Sequence, residues 1–192
     1  MISYSLIFMA LSYLVGSIPM AYIAGRWISG IDIRQVGSRN VGAANAYNQL
    51  GAYVGTLVVL LDFGKGVGVV LVARLLGLDE GWVLIAGVAA IAGHNWSPFL
   101  RFQGGIGAAT AFGVTCIVFP LETDILLLAG FLPFLFTRRI TVFGAILFGP
   151  LPLLVWYFGD SVYRILFSVA VVALLTSTYF YKTRRRSRVL LT

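Results

Sequence analysis

The sequence predicts an all-α integral membrane bundle of about seven transmembrane helices, and three observations predict it. Charged residues make up only 11% of the 192 and hydrophobic residues 59%, whereas a soluble domain carries roughly 25% charged residues. Apolar runs recur near the ~20 residues that a helix needs to cross a bilayer, which leaves room for a single transmembrane domain, 1–192, and no separate soluble one. Charge also alternates between successive connections. Arg26, Arg34, Arg39, Arg101, Arg138, Arg139, Lys182, Arg184, Arg185, Arg186 and Arg188 fall in the odd connections and the tail. The even ones hold Arg74 and Arg164 beside Asp79, Glu80, Glu122, Asp124 and Asp160. By the positive-inside rule this predicts a multi-pass protein of the cytoplasmic (cell) membrane, N-terminus outside and C-terminus cytoplasmic.

The net charge of +7 therefore reads as topology and contact with anionic lipid headgroups, not with nucleic acid. One cysteine, Cys116, excludes a disulfide framework, and one histidine, His94, excludes most histidine-built metal centres. The first apolar run has no basic residues before it, so it is expected to be a retained helix and not a cleaved signal peptide.

Taken in order, the first helix is expected from roughly Ile2 to Ala24, with a kink at Gly16-Ser17-Ile18-Pro19. A polar island follows, Gly37-Ser38-Arg39-Asn40-Val41-Gly42-Ala43-Ala44-Asn45-Ala46-Tyr47-Asn48-Gln49-Leu50-Gly51, read as a glycine-rich loop. The second helix, roughly Tyr53 to Leu76, contains Asp62-Phe63-Gly64-Lys65-Gly66. The third runs from about Trp82 to Gly93 and is broken by His94-Asn95-Trp96-Ser97-Pro98. A second glycine cluster, Gly104-Gly105-Ile106-Gly107, opens the fourth, roughly Ile106 to Phe119. The remaining three are expected near Asp124 to Phe136, Thr141 to Phe158 and Val162 to Tyr181, ahead of a basic tail.

The polar pieces suit an anion. Backbone N–H groups in a glycine-rich turn, or at a helix start, favour phosphate, and arginine adds fixed charge; a plain interhelical loop is the competing reading of the island. Asp62 and Lys65 are three apart on one helical face. At membrane depth such a pair is a functional candidate by default, or else a structural ion pair between helices. His94 reads either as a general base or as a hydrogen-bonding helix end. No serine–histidine–acid order, paired catalytic carboxylates or metal cluster is present, so no metal or cofactor is expected. Positioning and electrostatic stabilisation are the chemistry that remains.

In order and position, Gly16–Pro19, Gly37–Gly51, Asp62–Gly66 and His94–Gly113 resemble the motifs of the acyl-phosphate-dependent glycerol-3-phosphate acyltransferases of bacterial membranes (PlsY type). The resemblance implies acyl phosphate and glycerol 3-phosphate as substrates and lysophosphatidic acid and phosphate as products; membrane lipids are the expected surroundings and a monomer the expected state. It implies Ser38, Asn45 and His94 as catalytic residues. Gly37, Asn40, Gly42, Asp62, Lys65, Gly104, Gly105 and Gly107 are implied as substrate-binding, and Arg39 and Asn48 of the same loop are expected to bind substrate beside them. Four departures accompany it. Ile106 stands where the family loop has lysine, Asn48 where it has arginine, and Arg39 where it has glycine or a small residue. Thr183-Arg184-Arg185-Arg186 replaces a histidine–arginine–glutamate–asparagine run. Arg39, Arg101, Arg185 and Arg186 are candidates to return the lost charge. A non-catalytic paralogue that binds lipid or a protein partner is the second reading; a small transporter, without a visible inverted repeat, is the third.

Overall fold

The computed structural model describes the backbone of residues 2–189 and the side chains of residues 4–184, and the described residues are helical with no strand among them. Among the described residues, six helical units are long and apolar enough to cross a membrane: Tyr4–Ser29, Ala52–Leu75, Glu80–Leu100, Pro120–Thr137, Ile140–Tyr157 and Val162–Arg184. Their outer faces expose Leu60, Leu71, Leu128, Leu153 and Leu166, as lipid-facing surfaces do.

The first unit is two helices, α1 (Ile2–Ser17) and α2 (Met20–Ser29). Pro19 lacks an N–H to continue the ladder, and the Ser17 hydroxyl donates back to the Tyr13 carbonyl at 2.7 Å. The expected kink is therefore a full break, and the span runs five residues past the expected Ala24 to Ser29.

The polar island is only half a loop. Its second half forms α3 (Ala43–Leu50), which lies over the start of α4 (Ala52–Leu75). Ala46 is fully buried on the underside, in an apolar cluster with Ala21, Ile33, Val41, Val58 and Leu100. Burial of that one face holds a helix too short to be stable alone.

Next come α5 (Glu80–Asn95), which continues through a single 3-10 turn at Pro98–Leu100, and α6 (Ala108–Val118). The helix carries His94 and Asn95 in its last turn, beyond the expected end at Gly93. At 11 residues α6 is too short to span a bilayer alone; it starts beside Lys65 and Gly66, at mid-height of α4. Then follow α7 (Pro120–Thr137), the broken pair α8 (Ile140–Phe148) and α9 (Leu151–Tyr157), and α10 (Val162–Val189).

Paired glycines set two of the helix crossings. A Cβ on Gly16 or Gly93 would strike the backbone of the facing helix in the α1–α5 pair, at Ala90 and Tyr13. A Cβ on Gly66 or Gly113 would do the same in the α4–α6 pair, at Thr110 and Phe63. Backbones in such close contact are how membrane helices pack without a hydrophobic driving force. Each contact sits beside a polar residue of the interior: Gly93 beside His94, Gly66 beside Lys65.

The two ends of the bundle differ. At one, Arg164 of α10 lies 3.4 Å from Glu80 of α5 and 5.0 Å over the Phe119 ring, and it also pairs with Asp160 and the Val118 carbonyl. At the other end, Lys182 of α10 meets Asn40 and Gly104. The acidic even connections thus share one end, and the polar island and second glycine cluster share the opposite one.

Candidate active site

Three side chains from two helices form the buried core of this polar end. Asp62 and Lys65 of α4 are 2% and 4% exposed, with Lys65 Nζ 2.8 Å from Asp62 Oδ1. The same ammonium lies 2.9 Å from His94 Nδ1 and donates to the Ile18 carbonyl at 3.2 Å. The break between α1 and α2 leaves that carbonyl outside the regular helical ladder. An ammonium has three protons, and three acceptors face it. Lys65 lies off the hydrogen-bond axis of Asp62 Oδ1, which has no donor among the described residues, so this contact is ionic rather than directional.

His94 is held from several sides. Asp62 Oδ1 at 3.6 Å and Thr110 Oγ1 at 3.4 Å crowd the same Nδ1 that faces Lys65. With Lys65 donating there, the ring proton belongs on Nε2, which faces the Gly105 backbone. A nucleophile–base–acid relay needs its partners on opposite ring nitrogens. Here all three share one.

The first polar loop is organised by Asn45. Its Oδ1 accepts the Ser38 N–H at 2.9 Å, and its Nδ2 lies 3.1, 3.2 and 3.1 Å from the carbonyls of Ile33, Val36 and Asn40. Gly37 adopts φ +57°, and a Cβ there would crowd Asn45 Oδ1 and Gln49. Arg39 also takes a left-handed φ, +58°, the conformation that glycine adopts without strain. The Ser38 hydroxyl faces the Asn40 N–H at 3.5 Å. Gly42 is the extended residue ahead of α3. Asn48 and Arg39 are exposed.

Arg34 is tied down outside the site: with Arg26 it clamps Asp32, at 2.7 and 3.1 Å, and it stacks 4.7 Å over Tyr22. The Arg34 side-chain hydrogen bond holds the Asp32 carboxyl well below its ordinary range, at about 2.

The second glycine cluster departs from expectation. Gly104 and Gly105 do not present free N–H groups: these donate to the Asn95 and His94 carbonyls at 3.2 and 2.9 Å. Those carbonyls end α5 and need donors. A Cβ on Gly104 would strike the His94 carbonyl, and one on Gly105 would strike His94 Nε2 and come within 2.6 Å of the Val41 carbonyl. Gly107, at φ +87°, precedes α6 and leaves room for Asn95 Oδ1. Ile106 packs against the main apolar cluster. A small cleft lies between the loops, lined by Ser17, Ile18, Pro19, Val41, His94, Ser97, Leu100, Gly104 and Gly105.

Four residues that the sequence alone does not single out join the site. Thr110 faces His94, and Asn95 Nδ2 donates to Thr178 Oγ1 of α10 at 3.0 Å. Lys182, read as the start of the tail, donates to Asn40 Oδ1 at 3.0 Å and to the Gly104 carbonyl. Separation along the chain hid it: Lys182 and Asn40 are 142 positions apart. Arg101 is exposed, and the side chains of Arg185, Arg186 and Arg188 lie outside the described residues.

Comparison with known proteins gives consistent matches. The family model described as glycerol-3-phosphate acyltransferase matches residues 6–191. Glycerol-3-phosphate acyltransferase 4 of Dehalococcoides mccartyi is 38% identical over 94% of this chain and 97% of its own. Glycerol-3-phosphate acyltransferase 2 of Moorella thermoacetica is 40% identical over 88% and 87%. Among solved structures, PlsY (YgiH), an integral membrane glycerol 3-phosphate acyltransferase, in its glycerol 3-phosphate form superposes with a TM-score of 0.85 at 32% identity. That match covers 98% of this chain and 92% of that one.

Proposed function

The chain belongs to the glycerol-3-phosphate acyltransferase family, and we infer from that premise that it transfers a fatty acyl group to glycerol 3-phosphate in phospholipid synthesis, with an acyl phosphate as donor. The observation that carries the reading is the meeting of the Ser38 loop and the Gly104–Gly107 loop over the Asp62–Lys65–His94 cluster.

The donor assignment rests on the absence of a relay around His94 among the described residues. A mixed anhydride already has a good leaving group and does not need a covalent enzyme intermediate. The acceptor hydroxyl oxygen bonds to the acyl carbon, the carbon–oxygen bond to phosphate breaks, and the departing phosphate takes the hydroxyl proton. The protein's share is positioning and stabilisation of negative charge. Ser38 is the substrate-facing residue in this reading, because its hydroxyl proton is directed at no described acceptor. Asn45 and His94, expected as catalytic, act as positioning residues: the first holds the loop, the second joins α5 to Lys65 and to the glycine loop. Arg39, Asn40 and Asn48 rim the loop, and Gly37, Gly42, Gly104, Gly105 and Gly107 allow its close packing.

The chain acts as a monomer, with the polar end of the bundle facing the cytoplasm and the N-terminus outside. The alternating charge of the connections supports that orientation. The test is an assay of purified protein with labelled glycerol 3-phosphate and palmitoyl phosphate or palmitoyl-CoA. Lysophosphatidic acid with matching phosphate release, from the acyl phosphate alone, is expected. Transfer from the thioester alone would remove the donor assignment, and no lipid product from either would remove the enzyme reading.

A further inference from the structure

We propose that Asn95 and Thr178 are a positioning pair for the acyl transfer: their hydrogen bond sets how α10 is turned against the second glycine loop. The proposal rests on the acyltransferase reading above. Both residues are buried, at 1% and 2% exposure, and Asn95 Nδ2 donates to Thr178 Oγ1 at 3.0 Å. Asn95 touches the loop at both of its ends. Its carbonyl accepts the Gly104 N–H at 3.2 Å, and its Oδ1 lies where a Cβ on Gly107 would strike it. That oxygen has no donor among the described residues, so the carboxamide is oriented by Thr178. His94, the residue before it, faces Lys65 and the Gly105 backbone. The last two residues of α5 thus hold the glycine loop from two sides.

On α10, Phe167, Val171 and Leu175 form a buried stripe that ends at Thr178. The three apolar side chains belong to the main cluster, and contacts of that kind have no preferred direction. A hydrogen bond weakens steeply away from its axis, so Thr178 fixes the rotation that the stripe leaves free. Lys182 stands one turn beyond Thr178 on the same helical face. It meets Asn40 of the first loop and the Gly104 carbonyl of the second. A turn of α10 about its axis would part the contact at which the two loops meet. Between membrane helices a hydrogen bond adds little to stability on average, and the effect of this one is on rate.

Full-length protein in lipid nanodiscs tests this with Thr178→Val, which keeps the shape and removes the hydroxyl, and Thr178→Ser, which keeps the hydroxyl. Acyl transfer is measured well below each variant's thermal midpoint, and hydrogen exchange is followed at residues 104–107 without substrates. Displacements of about 1 Å can cost on the order of 100-fold in rate, and a smaller shift predicts a loss of about tenfold in kcat for the valine variant. Its glycine-loop amides are expected to exchange faster, with little change in the midpoint. Serine is expected to return most of the rate and the wild-type exchange. Asn95→Leu should resemble Thr178→Val, and the double variant should be no slower than either, as two ends of one contact are not additive.

Unchanged kcat and unchanged exchange in Thr178→Val, beside a wild type that turns over, would overturn the proposal and leave the acyltransferase reading standing. A serine variant as slow as the valine one would also overturn it, since the hydroxyl would not be the group that matters. So would a double variant whose loss is the product of the two single losses. Wild-type protein that makes no lysophosphatidic acid would remove the acyltransferase reading and the proposal with it.

Discussion

Lys65 Nζ stands 2.9 Å from His94 Nδ1 and ties mid-height of α4 to the last turn of α5. The same ammonium pairs with Asp62, so its removal strands a buried carboxylate. Breaking a buried pair by removing one partner costs about 3–5 kcal/mol, whereas replacing both partners with groups of similar volume costs far less. Lys65→Met is therefore expected to lower the thermal unfolding midpoint of the purified protein sharply. The double variant Asp62→Asn with Lys65→Met should recover most of the loss. Equal losses in the single and double variants would mean that the pair's charge is not what Lys65 balances.

Glycine positions make a second, paired prediction. An added methyl at Gly105 meets His94 Nε2 and the Val41 carbonyl, neither of which is the end of a flexible chain. Moving the glycine loop by a fraction of an ångström displaces the cleft, and displacements of about 1 Å can cost on the order of 100-fold in rate. Gly105→Ala is expected to lose acyl transfer to that degree. Gly64, exposed on α4 with nothing within 4 Å of an added Cβ, should accept alanine with a gain of about 0.5–1 kcal/mol in helix stability. Thermal melts and initial rates on both variants check the pair.

Much of this architecture is legible in the chain. The second helix, expected from Tyr53 to Leu76, is observed over Ala52–Leu75, because a long apolar run has few alternatives in a membrane. The Asp62–Lys65 contact follows from spacing alone. What stayed hidden depended on tertiary partners. Residues 43–50 read as loop because α3 is a helix only through its seat on α4, with Ala46 buried beneath. Gly104 and Gly105 read as free donors because the carbonyls that take their protons come from the end of α5. Lys182 read as tail because its partners lie on two other segments.

Asn45 and Ser38 should separate in their effects. Asn45→Ala strips the Ser38 N–H and three carbonyls of their shared partner, and a buried polar group left unpaired costs about 1–3 kcal/mol. The expected result is a loosened loop: faster hydrogen exchange over residues 33–45 and a raised KM for glycerol 3-phosphate. Ser38→Ala keeps the backbone N–H that Asn45 binds and removes only the acceptor facing the Asn40 N–H, so exchange should change at Asn40 alone while kcat falls. Matching exchange profiles in the two variants would remove the positioning role given to Asn45.

The last prediction concerns acid. Asp32 joins Arg26 and Arg34 just outside the first span, and its carboxyl is lowered from 3.8 to about 2, first by the Arg34 side-chain hydrogen bond. A carboxylate whose pKa falls on folding contributes stability that is fully present above its unfolded value and is lost as pH falls through the folded one. The clamp is thus at full strength from about pH 5 upward and weakens only toward pH 2. Because both arginines are partly exposed to solvent, salt screens part of the interaction. Hydrogen exchange at residues 30–36 of wild-type protein should keep the same protection factors from pH 5 to 8. Asp32→Asn should lower them across that range, with a smaller difference in 1 M salt. Protection that already falls between pH 6 and 5 in the wild type would show that a different group, with a higher pKa, holds this segment.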